Sequence, residues 1–387
     1  MSKKRILFFT PTLQRTGSEM ALFNLISNSS DDFEMFVVTI IEGELVFKLP
    51  TGVGHKSFGS YSNLIENNKP LFRKAINKVF YKYSNDEIMF KEMERLFPSD
   101  IWYINTIMFT RIIECAKANK MQTILHIHEL EQMFIHLTDL QLKNTVKDPS
   151  LIIACSNACA DVLKKSGRKE KIEVCYPANN LAGITDDKQK TKQLREKFKL
   201  DNDNFLWAMS GTMDINKNPS LFVDIANRLL KKTQKVFFMW IIQGNEDNGY
   251  VAYCKNKAIV LGIDEHIIWV SNPGNEYYDY LNSADGFVLT STKESFSMVT
   301  VEALYLGKPV VSFDCGGVKE IVNEKTGIII EGYNENEMVM AMLKIMNKEF
   351  EFNASLAKLS VEKFNDMLQK DLWKSIIDKY FCEPFEK

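Results

Sequence analysis

ILFFTPTLQRTGSEMALFNLI (residues 6–26) and FLWAMSGTMDINKNPSLFVDIANRLL (residues 205–230) are built to one plan. Each opens on an apolar run, passes through a polar loop containing a glycine, and enters a segment whose apolar residues recur at helical spacing. A strand that feeds a helix crossing back over its sheet reads this way. One such opening in each half of the chain implies two sheets, each with its own crossovers.

Working outward, the first half continues with FEMFVVTII, DIWYIN, QTILHIH, LIIACS and IEVCY, and the second with VFFMWIIQG, HIIWVS, DGFVLTS, KPVVSF and TGIII. Most of these runs are separated by helix-length segments, the pattern of a parallel sheet with helices on its faces. The fold class expected is α/β, with two doubly wound Rossmann-like domains facing across a cleft. A chain of 387 residues also exceeds what one hydrophobic core usually supports. The boundary is expected in PANNLAGITDDKQKTKQLREKF (177–198), where the apolar pattern lapses. We therefore place one domain at residues 1–180 and the second at 181–364. The C-terminal stretch, about 365–387, reads as a helix that either closes the second domain or crosses back to the first. Open α/β sheets place ligands at the carboxyl ends of their strands, so a ligand is expected between the domains.

Composition excludes several classes. Hydrophobic residues make up 45% and charged residues 25%, which is ordinary for a folded globular protein. Lys plus Arg number 48 against 50 Asp plus Glu, a net charge of −2, so no basic field argues for nucleic acid. MSKKRILFFTPTL reads as a first strand rather than a signal peptide. No stretch has the eighteen or so apolar residues of a membrane span. Seven cysteines are scattered without a C-x-x-C pair, which fits a reducing cytosol, and the location expected is cytoplasmic. Cys155 and Cys159 would share a helix face and read as core.

One segment departs from the rhythm. In PLFRKAINKVFYKY, within residues 69–83, Leu71, Phe72, Ala75, Ile76, Val79, Phe80 and Tyr83 form one helical face, while Arg73, Lys74, Lys78 and Lys82 lie largely away from it. The simpler reading is a core-packed helix with a solvated face. The alternative is a basic amphipathic helix lying on an anionic membrane surface, which would make the protein peripheral.

The chemistry concentrates in TSTKESFSMVTVEALYLGKPVVSF (290–313). If a strand ends near Ser291 and a helix starts around Ser297, the backbone N–H groups of Phe296, Ser297 and Met298 point out of the helix start as an anion cradle. Glu294 then lies in the loop beside the cradle and Glu302 near the second turn. A carboxylate accepts only, and its two oxygens can take both protons of a vicinal diol. The pattern suits a ligand with sugar hydroxyls on both sides of a phosphate.

KESFSMVTVEALYLGKPVV, continued by SFDCGGVKEIV, resembles the E-x7-E signature of retaining GT-B glycosyltransferases of family four. The resemblance implies that Glu294 contacts the donor hexose, that the amides of Ser295, Phe296, Ser297 and Met298 hold the diphosphate, and that Glu302 binds the nucleotide ribose. SGTMDINKNPSLF (210–222) is similar to the family's phosphate site, with Gly211 at a strand end and Lys217 as the cation. Thr212 stands where the family usually carries arginine. In TILHIHELEQM, His126 and His128 would face one side of an extended segment. No third metal ligand lies close in sequence, and a structural histidine is an even alternative. The resemblance favours His128, pointing at the donor sugar. PTLQRTGSEMAL looks like the family's glycine loop, with Gly17 and Ser18 allowing close approach of donor phosphate or acceptor. Helix-start chemistry explains these two nearly as well.

The resemblance therefore implies transfer of a hexose or N-acetylhexosamine, with retention, from a nucleoside diphosphate sugar, uridine favoured, to a hydroxyl of a growing or lipid-linked surface saccharide. Glu294, His128 and Lys217 would serve the chemistry without a metal or a cofactor. A dinucleotide-dependent dehydrogenase would need G-x-G-x-x-G, which neither half has. The DND at 201–203 precedes its strand and reads as a polar turn rather than a metal-binding D-x-D. A sugar-nucleotide 2-epimerase of the same fold, or a catalytically silent nucleotide-sugar binder, are the alternatives.

Overall fold

In the computed structural model, which describes residues 3–59, 85–244 and 249–381, the chain divides into two compact units. One is Met1–Ala178 together with Asp366–Lys387, and the other is Asn179–Asn365. Each is built on one parallel sheet. The first has strand order β3-β2-β1-β4-β5-β6-β7. Its strands are β1 (Arg5–Thr10), β2 (Glu34–Thr39), β3 (Gly54–Ser57), β4 (Ile101–Ile104), β5 (Gln122–Ile127), β6 (Leu151–Ala154) and β7 (Ile172–Val174). The second has order β10-β9-β8-β11-β12-β13. Here the strands are β8 (Phe205–Gly211), β9 (Val236–Ile242), β10 (Ile267–Ser271), β11 (Gly286–Leu289), β12 (Val310–Phe313) and β13 (Gly327–Ile330). This is the Rossmann-like α/β fold expected from the sequence, once in each unit.

The apolar runs are nearly continuous because helices cover both faces of each sheet. Ile6 to Thr10 in β1 and Leu206 to Gly211 in β8 are all buried. β3 breaks the pattern. Its sequence, GHKS, carries no apolar signal, and it sits at the sheet edge paired to β2 in parallel register. An edge strand gains backbone hydrogen bonds without having to fill a core, and a polar, charged edge also resists pairing with other chains.

The final helix, Asp366–Tyr380, packs on the first unit. Trp373 is fully buried there, with its ring 5.2 Å from Phe33, 6.0 Å from Tyr103 and 6.5 Å from Phe8. The Gln369 side chain accepts the Tyr176 N–H at 2.9 Å, which fixes the helix along its axis.

Both sheets reverse strand order at their first strand: β1 lies between β2 and β4, and β8 between β9 and β11. At such a switch point the loops leaving the two central strands diverge and open a crevice. In the first unit those loops follow β1 and β4. In the second they follow β8 and β11, where the sequence concentrated its candidate residues. Residues 69–83, the basic segment, lie outside the described residues. Among the described residues no helix is long and apolar enough to cross a membrane.

Candidate active site

The loop after β8 is shaped by short-range polar contacts. Asp214 accepts the Lys217 N–H at 2.9 Å and the Thr212 hydroxyl on its other oxygen. Asn218, at φ 55°, caps the helix Pro219–Leu230 by accepting the Leu221 N–H at 3.3 Å. Pro219 at the helix start gives up an N–H that would have had no helical partner. These bonds turn the Lys217 side chain back over Gly211, where an added Cβ would lie 3.2 Å from the lysine stem and the backbone sits at φ +154°. Glycine at 211 is what lets the lysine lie down.

Lys217 Nζ donates to Glu294 Oε1 at 2.6 Å. The two residues that the sequence suggested for separate tasks, phosphate and sugar, form one ion pair. Glu294 is only 7% exposed. Its backbone is locked by Glu294 N–H to Cys315 O at 2.7 Å and Gly317 N–H to Glu294 O at 2.8 Å. A Cβ on Gly317 would fall 2.2 Å from the Ser295 carbonyl oxygen, so this approach requires glycine. Burial pulls the Lys217 ammonium down, but the Glu294 charge and hydrogen bond outweigh it and hold the lysine above its ordinary value. Asn216, which the sequence did not single out, ties the two loops together. Its side chain accepts the Thr292 hydroxyl at 2.9 Å and the Lys293 N–H at 3.1 Å, and donates to the Lys293 carbonyl at 2.9 Å.

The helix Met298–Tyr305 follows, with Ser297 at its cap position. The Ser297 hydroxyl pairs with Thr300 Oγ1 at 2.8 Å rather than capping, and the Ser297 carbonyl accepts from Thr300 and Val301 N–H. The first turn of a helix is the positive end of its dipole and can receive an anion. Phe296 serves this loop differently: its ring is buried edge-on against Phe364 at 5.0 Å. Glu302 accepts Tyr277 Oη at 2.9 Å and Tyr278 Oη at 3.2 Å. Loss of water pushes the Glu302 carboxyl up to about 7, although both tyrosines pull it the other way.

In the first unit, His128 Nε2 lies 3.0 Å from Asn105 Oδ1, and the Asn105 amide reaches the Ser18 carbonyl at 3.4 Å. Asn105, just after β4, therefore brings together two residues that the sequence had placed in different loops. The contact requires a proton on His128 Nε2, which leaves Nδ1 as an acceptor. Burial lowers His128 to about 4, so it is neutral at physiological pH. His126 stacks beside it, ring centroids 4.0 Å apart, and bonds Tyr103 Oη at 2.7 Å. Among the described residues no group of three His, Cys, Asp or Glu could hold a metal ion.

Gly17 opens the helix Gly17–Ser29, and a Cβ there would meet nothing within 4 Å. No local crowding demands a glycine. Glu19 in the first turn is buried and accepts the hydroxyls of Thr12 and Thr16. This helix mouth already carries its own carboxylate, which would repel a phosphate and suits a neutral hydroxyl-bearing ligand better.

Residues 190–360 match the sequence model of the family described as glycosyl transferases group 1. That stretch falls within the second unit, Asn179–Asn365, and spans less than half of the chain. The chain is 26% identical over 179 residues to a D-inositol 3-phosphate glycosyltransferase of Paenarthrobacter aurescens, covering 45% of this chain and 42% of that one. It is 32% identical over 127 residues to an uncharacterized glycosyltransferase of Haemophilus influenzae, covering 32% and 36%. The match thus spans less than half the length of these curated relatives. The crystal structure of Anabaena Alr3699/HepE in complex with UDP and glucose superposes with a TM-score of 0.80 at 18% identity, over 97% of this chain and 100% of that one. At that identity the likeness establishes the fold alone, GT-B.

Proposed function

We propose that the protein transfers a hexose or N-acetylhexosamine from a nucleoside diphosphate sugar, uridine favoured, to a hydroxyl of a saccharide or lipid-linked acceptor, with retention at the anomeric carbon. One observation carries this reading: at a single switch point, the loops after β8 and β11 hold a buried Lys217–Glu294 ion pair, a helix mouth at Ser297 and Met298, and the Glu302 carboxylate. The UDP and glucose bound to the HepE relative support the same ligand class.

In this reading Glu302 takes the ribose hydroxyls and the amides near Ser297 receive the diphosphate. Lys217 neutralises Glu294 in the ligand-free protein and shifts toward the diphosphate when it arrives, so no bare charge is buried at either stage. Glu294 is then free to accept a sugar hydroxyl. The acceptor oxygen attacks from the face the leaving phosphate departs, and that phosphate takes the acceptor proton. Lys217 and the helix amides stabilise the departing charge without a metal. His128, neutral and oriented by Asn105, serves the sugar, while Gly17 and Ser18 are assigned to the acceptor.

The test is release of nucleoside diphosphate from common uridine and guanosine sugar nucleotides, with and without saccharide acceptors. Acceptor-dependent release is expected. Interconversion of sugar nucleotides without acceptor would make the protein an epimerase, and binding without turnover a silent binder.

Two further outcomes follow. A diol donates best to an ionised carboxylate, and Glu302 protonates as pH falls through about 7, so donor affinity should weaken below that pH. Dissociation constants measured from pH 6 to 8 should show this slope, and Glu302→Gln should flatten it. Because folding raises this carboxyl above its unfolded value, its stability contribution is present at low pH and is lost as pH rises through about 7, opposite to its effect on donor binding. Asn105→Ala removes a buried partner of His128 and should cost about 1–2 kcal/mol in stability and about tenfold in turnover. Thermal melts and steady-state rates check it, and a turnover loss unmatched by His128→Ala would remove the assigned role.

A further inference from the structure

Tyr277 and Tyr278 close the stretch SNPGNEYY, residues 271–278. Asn272 at φ 42° and Gly274 at φ 59° turn the chain sharply after β10, and a short 3-10 turn, Gly274–Glu276, delivers it into the helix Tyr277–Ser283. Successive helical side chains normally diverge by about 100° around the axis, so two adjacent residues rarely reach one target. Here both do. The rings meet edge-on, 5.0 Å apart, and each hydroxyl ends on a different oxygen of the same carboxylate: Tyr277 on Glu302 Oε2, Tyr278 on Glu302 Oε1.

An ionised carboxylate offers about four acceptor positions, two per oxygen. With one position on each oxygen taken by a phenol, one remains on each, a symmetric pair suited to adjacent hydroxyls. We infer that Tyr277 and Tyr278 are positioning residues that fix the Glu302 carboxylate as a reader of the donor's 2′,3′-diol, so that they set the preference for ribose over 2′-deoxyribose. The inference rests on the donor reading proposed above and adds to it which residues control sugar selection within the nucleotide.

The surroundings agree. Burial, and then the nearby Glu302 charge, hold the Tyr277 hydroxyl well above its ordinary value, so it remains a donor throughout the working range. The groups that hydrogen-bond Glu302 are these two tyrosines, both neutral donors. A carboxylate that neutral donors hold protonates more readily when the donors are removed.

The experiment measures dissociation constants by calorimetry for uridine and guanosine diphosphates and their 2′-deoxy forms. The proteins are the wild type, Tyr277→Phe, Tyr278→Phe and the double variant, with thermal melts to confirm folding. The wild type should bind a ribonucleotide at least about tenfold more tightly than its deoxy form, the worth of one hydrogen bond to a charged group. In the double variant that ratio should fall toward one, and the deoxy nucleotide should weaken by less than the ribonucleotide, because it loses one hydroxyl contact to Glu302 rather than two while the diphosphate contacts are untouched. Turnover at saturating donor should change little, so the effect falls on KM. A ribose preference that survives both substitutions overturns the clamp. Wild-type binding with no ribose preference also overturns it while leaving the diphosphate site standing. Absence of binding to every nucleotide overturns the donor reading and the clamp together. A double variant that does not fold moves the decision to the two single variants, each of which should lose part of the ratio.

Discussion

Glu302→Ala should raise the dissociation constant for the donor nucleotide by about a hundredfold or more. Two ribose hydroxyls donating to a carboxylate are each worth about 1.5–3 kcal/mol, and the substitution removes both, so a loss of at least about 3 kcal/mol is expected. The protein should fold, since Glu302 is partly exposed and its partners are neutral hydroxyls that can turn to water. Glu302→Gln keeps the shape and one acceptor oxygen and should fall between wild type and alanine. An unchanged Michaelis constant for donor in Glu302→Ala would remove the ribose role, whatever happens to the maximal rate.

Lys217→Ala should be severe in two ways that separate cleanly. The Glu294 carboxylate is 7% exposed and pairs with the Lys217 ammonium at 2.6 Å, so deleting the ammonium strands a buried charge. Breaking one partner of such a pair typically costs about 3–5 kcal/mol of stability. Turnover should fall by about 10²–10³, the scale seen when one group stabilising transition-state charge is lost. The double variant Lys217→Met with Glu294→Leu removes the stranded charge and should regain most of the lost stability while remaining inactive. Denaturant unfolding and donor turnover on Lys217→Met, Glu294→Leu and the double close the cycle. If Lys217→Ala kept wild-type turnover after correction for its folded fraction, the lysine would be a structural counter-ion only.

The pairing of Lys217 with Glu294 shows where reading a sequence reaches its limit. Each residue is conspicuous alone: a lysine just ahead of Asn-Pro at a helix start, a glutamate in a polar loop after an apolar strand. They are 77 positions apart, and nothing in either segment states that the two side chains meet. The meeting depends on β8 and β11 being neighbours in the sheet, on Asn216 stitching their loops, and on Gly211 and Gly317 giving way at the two close approaches. Asn105 is similar. It follows the run DIWYI as a polar residue at a strand end, a signal that could have been noted, but its link to His128 and Ser18 exists only because β1, β4 and β5 are adjacent.

Strands with both faces covered announce themselves, because burial on both sides demands an unbroken apolar run, and the chain's own letters specified every such strand in both units. They also specified the helix mouth at Ser297 and the carboxylates beside it, since these are consequences of local spacing. β3 was invisible because an edge strand is held by backbone bonds and leaves no imprint on side chains. The tertiary structure alone decided that the helix Asp366–Tyr380 belongs with the first unit, that Lys217 pairs with Glu294, and that two consecutive tyrosines converge on Glu302. Each of these is a contact between segments far apart in the chain, set by strand order and packing, and no local pattern of residues encodes a distance across the fold.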